Sequence, residues 1–182
     1  KSYIMATIKH LQTLGQVIDA NITEIASQQN IPRQVAYVRV VNHLTENAIE
    51  WRKFSGPNIP YHEPLCRVAY LYGTAPPNAN LVETVFRRDK EISDYFDMIH
   101  NSKGAVSICA FGGGPGTELL GLAKWIEKRN LGYQIVLDFL LLDKVPEWID
   151  SWQAIKRVIE STLMENYGKN RSDWPIMISG NF

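Results

Sequence analysis

The sequence predicts an α/β fold in which a parallel β-sheet is wound on both sides by helices and is preceded by a helical region. Three observations support this prediction. Apolar residues at helical spacing fill the first half of the 182-residue chain, and strand-like and helix-like segments alternate after Gly104. A glycine-rich stretch, CAFGGGPGTELLG, joins the first of those strands to a helix. Strand–helix–strand–helix–strand is the pattern of α/β proteins.

Two helices are predicted in the amino-terminal segment, residues 1–54. Apolar residues recur at steps of three and four over 2–28, and Pro32 suits the start of a second helix over 33–54. The positions expected to face inwards are Ile4, Ile8, Leu11, Ile18, Ile22 and Ile25 in the first helix and Val35, Val38, Val41, Leu44 and Ile49 in the second. We interpret the pair as a helical hairpin packed on the rest of the chain, and a heptad seam for a partner helix is the alternative.

The middle segment, residues 55–103, is predicted to be a helical linker or lid. The proline-rich SGPNIPYHEP marks its start, and a short helix follows from Pro64. Two further helices are predicted in NANLVETVFRR and KEISDYFDMIH, with Asn78 as the cap of the first.

The last segment, residues 104–182, is predicted to form the α/β domain. Its strands are AVSICAF, YQIVLDFLLLD and residues 176–179. The second strand is almost wholly apolar, as expected for a parallel strand buried on both faces. A helix in TELLGLAKWIEKRN links the first two strands, and a second helix with Pro146 in its first turn links the last two.

Composition excludes several classes of function. Lys and Arg total 19, as do Asp and Glu, so no net charge favours nucleic acid. The basic cluster Lys124, Lys128 and Arg129 is interpreted as solvated surface. Cys66 and Cys109 form neither a disulfide framework nor a metal-binding spacing, and we expect both to be small buried hydrophobes. The start of the chain lacks a long apolar run, so we expect an intracellular protein, cytoplasmic or nuclear, without a membrane span.

The glycine-rich stretch is the strongest functional signal. A glycine loop between a parallel strand and a helix lies at the carboxyl edge of the sheet, where α/β folds bind ligands, and its amides favour an anionic group. No lysine follows the glycines, which excludes a nucleoside triphosphate P-loop. The dinucleotide pattern GxGxxG also fails, because Thr117 or Leu119 takes its last position. GxGxG remains, and a tight structural turn without a ligand is the alternative.

SICAFGGGPGTELLG resembles the first motif of class I S-adenosylmethionine-dependent methyltransferases, whose sheet is Rossmann-like. The resemblance covers about residues 105–182. It implies that S-adenosylmethionine is the cofactor and that an acid after the second strand, here Asp143, accepts both ribose hydroxyls. It also implies that Asn181, after the third strand, meets the adenine amine. The candidate cofactor-binding residues are Gly112, Gly113, Gly114, Gly116, Glu118, Asp143 and Asn181.

The sequence departs from that family at two points. Many members carry an acid two residues before the first glycine, where this chain has Ala110. Glu118 is either a partial replacement for that acid or a favourable charge in the first turn of a helix. The interval from Gly116 to Asp143 is longer than usual, so Asp138 is a competing acid, although its place within the strand favours a structural role.

Other side chains are weaker candidates. Trp148 and Trp152 are one helical turn apart and are interpreted as core residues, with stacking near adenine as the alternative for Trp148. Arg67 would pair either with the methionine carboxylate or with a surface acid. His10, His43 and His100 stand alone on helices and are interpreted as surface or core residues rather than catalysts. No catalytic residue and no metal site is predicted.

The function implied by the resemblance is that of an S-adenosylmethionine-binding, methyltransferase-like domain of unknown acceptor. The alternative is a non-catalytic module that senses the cofactor or binds a protein. The family builds seven strands, whereas three are found here. We therefore expect the chain alone to be inactive and a protein partner or a second copy to cover the incomplete sheet.

Overall fold

The computed structural model describes residues 2–53, 55, 57–102, 104–129 and 133–181; for residues 2–9, 11, 180 and 181 the description covers the backbone. The described residues form seven α-helices, three strands and a short 3-10 turn. The helices are α1 (Ser2–Gln28), α2 (Arg33–Glu50), α3 (Pro64–Gly73), α4 (Ala75–Arg88), α5 (Lys90–Asn101), α6 (Thr117–Arg129) and α7 (Trp148–Tyr167). The strands are β1 (Val106–Phe111), β2 (Ile135–Leu142) and β3 (Ile176–Asn181), and the 3-10 turn is Arg171–Asp173.

The three strands form one parallel sheet in the order β1-β2-β3. Helix α6 connects β1 to β2, and α7 connects β2 to β3. Phe111 pairs with Leu142, and Leu140 pairs with Asn181, so all three carboxyl ends reach the same edge. The predicted α/β fold with a parallel sheet is confirmed in this form, which is compatible with a Rossmann-like fold.

Helices cover one face of this sheet. Trp152 of α7 stacks on Phe139 at a centroid distance of 5.6 Å, on the same face as α6. Along β2 the residues on this face are buried and those on the other are exposed. The buried set is Ile135, Leu137, Phe139 and Leu141, and the exposed set is Val136, Asp138, Leu140 and Leu142. The prediction that helices cover both faces is wrong for the described residues. An almost wholly apolar strand is compatible with helices on one face or on both, so its sequence does not distinguish the two arrangements.

The uncovered face also corrects two predictions about single residues. Cys109, expected to be buried, is exposed on β1. Asp138 lies within β2 as expected, but it is exposed rather than held in a buried structural contact. Cys66 is buried, in agreement with the prediction.

The helical half packs into the same core as the sheet. Ile18 and Ile22 of α1 are buried in one apolar cluster with residues of α6, α7 and the strands. The Nε2 of buried His10 in α1 lies within hydrogen-bond distance of the Glu127 carboxylate in α6. Ile4, Ile8 and Leu11, which were predicted to face inwards, have side chains outside the described residues.

Helix α2 faces the core mainly with residues other than those predicted. Of the predicted set, Leu44 is partly buried and packs against the core. The buried residues of this helix are Ala36, Val40 and Asn47, whereas Val38 is 50% exposed and Ile49 is 55% exposed. Val35 and Val41 are also exposed. The buried positions keep helical spacing and lie on the side of α2 that packs against α1 and α3.

Two helix starts differ from the predicted ones. Helix α4 begins at Ala75, so Asn78 lies inside it rather than at its cap. Proline is tolerated in a first turn, and the two prolines that follow Ala75 occupy this position. Helix α7 begins at Trp148, after Pro146.

Helix α6 lies between the sheet and α4, which buries it on almost every side. A Cβ at Gly121 would come within 2.5 Å of the Ala79 carbonyl oxygen, so glycine permits the close crossing of α4 and α6.

The same layer buries Lys124, which is 3% exposed. Its ammonium lies 3.6 Å from Glu83, and that of Lys128 lies 2.7 Å from the same carboxylate. The prediction of a solvated basic cluster is wrong for these two lysines.

Among the helices of the described residues, none combines the length and the apolar character needed to cross a bilayer.

Candidate functional site

The glycine loop, residues 112–116, turns the chain from the end of β1 into α6. The backbone N–H of Gly112 donates to the Leu142 carbonyl at 2.7 Å and so extends the β1–β2 ladder by one residue. The N–H of Gly116 donates to the Gly113 carbonyl at 2.8 Å, which closes a tight turn. Gly112, Gly114 and Gly116 have φ angles of 63°, 49° and 80°. These values lie in the left-handed region that favours glycine.

The glycines of the loop meet different surroundings. A Cβ at Gly116 would overlap the Trp152 ring, and a Cβ at Gly113 would lie 3.0 Å from that of Ala110. These two glycines therefore permit packing inside the protein. A Cβ at Gly112 would have nothing within 4 Å, and one at Gly114 would only touch the Trp148 ring, at 3.7 Å. Gly112 and Gly114 are the glycines that leave space for a ligand.

Asp143 follows β2 and lies against the glycine loop. Its Oδ2 accepts a 2.9 Å hydrogen bond from the N–H of Gly114, and its Oδ1 accepts one of 2.9 Å from the N–H of Val145. A carboxylate offers about four lone-pair positions, so acceptor capacity remains. Asp138 lies mid-strand and exposed, so Asp143 rather than Asp138 meets the loop.

Glu118 lies in the first turn of α6, where the helix dipole favours an acid. Its carboxylate is 3.5 Å from the Thr117 hydroxyl, which donates to it. Burial raises the pKa of Glu118 above its ordinary value. Glu118 does not line the cavity described below. Asn181 ends β3 at the same sheet edge, and its side chain lies outside the described residues.

A cavity of about 480 Å³ opens beside the loop and Asp143. Its wall combines the carboxyl edge of the sheet with residues of the helical half. The lining residues are Trp51, Tyr61, Tyr70, Gly112, Gly114, Leu142, Asp143, Lys144, Val145 and Trp148. The volume lies within the range of about 300–1,000 Å³ typical of small-molecule sites.

Three aromatic rings form one wall of this cavity. The centroid of Trp148 lies 4.9 Å from that of Tyr61 and 5.3 Å from that of Tyr70, and the two tyrosines are 5.7 Å apart. The two contacts of Tyr70 are edge-to-face, a geometry that aromatic pairs prefer, and the Tyr61–Trp148 contact is tilted. Burial is the main cause that raises the pKa of both tyrosines, so both phenols stay protonated at neutral pH.

Arg67 supports this wall without reaching the cavity. It is buried, and its Nη1 donates to the carbonyl oxygens of Tyr61 and His62 at 2.9 and 3.0 Å. Its Nη2 lies 3.5 Å from Asp150. Arg67 therefore pairs with a surface acid, the second of the two predicted alternatives, although its own side chain is buried. It also holds the turn that carries Tyr61.

Sequence reasoning predicted the loop and Asp143, and it gave Trp148 a ligand contact only as an alternative. It missed Trp51 and Lys144, and it did not give Tyr61 and Tyr70 a place at the site. The density of aromatic residues in YHEPLCRVAYLYG was the available signal. The sequence could not show that this turn lies over a sheet edge that begins about forty residues later.

No protein-family model, curated protein or solved structure matches this chain. Within the described part of the chain there is also no group of three His, Cys, Asp or Glu side chains placed to hold a metal ion.

Proposed function

We propose that the cavity beside the glycine loop binds S-adenosylmethionine and that the chain is a methyltransferase-like domain. The observation that supports this most directly is the hydrogen bond between Gly114 and Asp143 at the mouth of a 480 Å³ cavity. This bond joins the two elements, glycine loop and acid, that the resemblance assigns to one cofactor.

The residues of the cavity fit the chemistry of that cofactor. Asp143 retains lone pairs for a vicinal diol after it accepts its two backbone bonds. Gly112 offers open space where a side chain would stand. Tyr61 and Trp148 line the cavity, and an aromatic wall suits both an adenine ring and a sulfonium cation.

The chain's residues would act mainly by holding the reactants and excluding water. When bound, S-adenosylmethionine supplies an electrophilic methyl group, so the protein needs few acids or bases. The tyrosines at the cavity are protonated, and Asp143 accepts hydrogen bonds from the loop while its remaining lone pairs are assigned to the ribose. We therefore assign no catalytic residue.

Calorimetry with purified protein tests the proposal. We expect S-adenosylmethionine and its demethylated product to bind, and NAD and ATP not to compete for the same cavity. Competition by NAD with equal affinity, or no binding of either sulfur compound by folded protein, would overturn the assignment.

A non-catalytic binding module is the second candidate function, and the uncovered face of the sheet favours it. Phe111 is 81% exposed there, beside the exposed Leu140 and Leu142. Apolar surface of this kind marks interaction sites, so a protein partner or a second copy would cover it. Transfer from a labelled methyl donor to cell extract distinguishes the two: cofactor binding without transfer favours the module, and turnover by the 182-residue chain alone excludes it.

A further inference from the structure

A second cavity, of about 320 Å³, lies where the end of α4, the start of α5 and the end of α6 meet. Helix α6 separates it from the glycine loop, because the loop precedes the first residue of this helix and the cavity adjoins the last. Thirteen residues at about 1.5 Å each put roughly 20 Å between the two places. Nothing in the proposed cofactor site uses this cavity.

The charges around the second cavity are strongly unbalanced, although the chain as a whole is neutral. Five cationic side chains and two acidic ones line it. The cations are Arg87, Arg88, Lys90, Lys128 and Arg129, and the acids are Glu83 and Asp89. Such a surplus of positive charge in a concave surface focuses the potential and attracts anions.

Both acids of the cavity are already engaged. Glu83 pairs with Lys128 at 2.7 Å and with buried Lys124 at 3.6 Å. Asp89 caps α5, where its Oδ1 accepts from the backbone N–H groups of Glu91 and Ile92 at 3.0 and 3.2 Å. Among the described residues, neither carboxylate forms an ion pair with Arg87, Arg88 or Lys90.

Four cationic groups retain unused donors. Within the described ranges, the exposed side chains of Arg87, Arg88 and Lys90 have no hydrogen bond or ion pair. Arg129 is oriented by Asp97, whose two oxygens both accept from Nη2 at 3.0 Å, and its guanidinium lies 4.8 Å over the Trp125 ring. The Nη1 of Arg129 is buried and finds no acceptor in the described residues.

Helix dipoles do not explain this arrangement completely. Cations are favourable at the carboxyl ends of helices, which accounts for arginine at the ends of α4 and α6. The dipoles do not explain why these cations share one cavity. They also do not explain why the buried Nη1 of Arg129 has no acceptor among the described residues. A buried unpaired donor is unfavourable unless a ligand or water satisfies it.

We propose that this corner is a phosphate-binding site that takes the phosphates of a nucleotide or of a single-stranded nucleic acid. Guanidinium groups match the geometry of phosphate oxygens, and Arg129 is held in place by Asp97 and Trp125. The two sources share one chemistry, namely several phosphate oxygens recognised by arginine and lysine.

The test compares two variants that remove the same charge from the 182-residue chain. The test variant is Arg87→Gln/Arg88→Gln/Lys90→Gln, and the control variant is Arg39→Gln/Arg52→Gln/Lys169→Gln. All six side chains are exposed, so both variants should fold, and a thermal melt checks this. The probes are ATP, followed by calorimetry, and a labelled ten-nucleotide single strand, followed by fluorescence anisotropy.

We expect at least one probe to bind the unmodified protein at low salt. The test variant should bind that probe at least tenfold more weakly, and the Kd of the control variant should stay within twofold of that of the unmodified protein. Removing three phosphate contacts should also lower the slope of log Kd against log salt by about 2 for the oligonucleotide. If excess ATP displaces the oligonucleotide, the site takes a single nucleotide's phosphates; if it does not, the site takes a strand. Absence of binding by both probes, or equal weakening in test and control variants, would overturn the proposal.

Discussion

The backbone N–H of Gly114 donates a 2.9 Å hydrogen bond to the Asp143 carboxylate, which joins residues on two different strand–helix turns. The parallel register makes this contact possible, because the last residues of β1 and β2, Phe111 and Leu142, lie side by side. The acid therefore serves two purposes in our proposal: it orders the glycine loop, and it presents its remaining lone pairs to the cavity.

Asp143→Ala tests both purposes of this carboxylate. The substitution removes the acceptor of the Gly114 and Val145 N–H groups, so we expect the free energy of unfolding to fall by about 1–3 kcal/mol. We expect S-adenosylmethionine to bind at least tenfold more weakly, measured by calorimetry at a temperature where the variant is folded.

Asp138→Ala is the matched control for that substitution. Asp138 is exposed on the same strand, so its loss should change stability by no more than about 0.5 kcal/mol and leave binding unaltered. If Asp138→Ala weakened binding and Asp143→Ala did not, the acid of the cofactor site would have been assigned wrongly.

Alanine substitutions at Gly112 and Gly116 separate the two uses of glycine in the loop. Both residues have positive φ, so each variant should lose about 1–2 kcal/mol from backbone strain. Gly116→Ala should lose more, since its Cβ would overlap the Trp152 ring, whereas the Cβ of Gly112→Ala enters open space at the cavity. Urea unfolding measures this difference. Equal losses of stability would contradict the packing role of Gly116.

How far the sequence predicts the structure depends on what each residue contacts. Helical spacing and strand-like runs depend on neighbours in the chain, which is why the helices and the parallel strands were predicted. Most of the inward face of α2 was predicted wrongly because the packing of α1 and α3 selects it: the helix buries Ala36 and Val40 and exposes Val38.

The candidate site shows the same division. The glycine loop and Asp143 belong to one local strand–helix pattern, and the sequence predicted both of them. The aromatic wall was missed because Tyr61 and Tyr70 come from the helical half and reach the loop only through tertiary packing. A lysine on a helix is normally expected to be solvated. Lys124 is buried instead because α4 crosses over α6.

The contribution of α1 to the shared core can be tested by Ile22→Asp. Ile22 is buried in the cluster that also contains the sheet, so a carboxylate there should lower the free energy of unfolding by more than about 4 kcal/mol. Ile49→Asp makes the same chemical change at an exposed position of α2 and should alter stability by about 0.5 kcal/mol at most. Circular dichroism during urea unfolding gives both values. A mild effect at Ile22 would indicate that residues 1–54 are a separate appendage and would contradict the predicted packing of the hairpin on the rest of the chain.

Removal of a phenyl ring should lower the stability of the protein strongly on the covered face of the sheet and hardly at all on the uncovered face. Phe139 is buried beneath Trp152, so Phe139→Ala should destabilise the protein by about 3–5 kcal/mol. Phe111 is 81% exposed on the other face, and Phe111→Ala should change the free energy of unfolding by no more than about 0.5 kcal/mol in dilute solution.

A series of sedimentation measurements at rising concentration then shows whether a second copy covers this face. If it does, the unmodified chain associates and Phe111→Ala associates less, because burial of the ring contributes to the interface. A loss at Phe111 as large as that at Phe139, in a protein that stays monomeric throughout the series, would mean that the face is covered within a single chain.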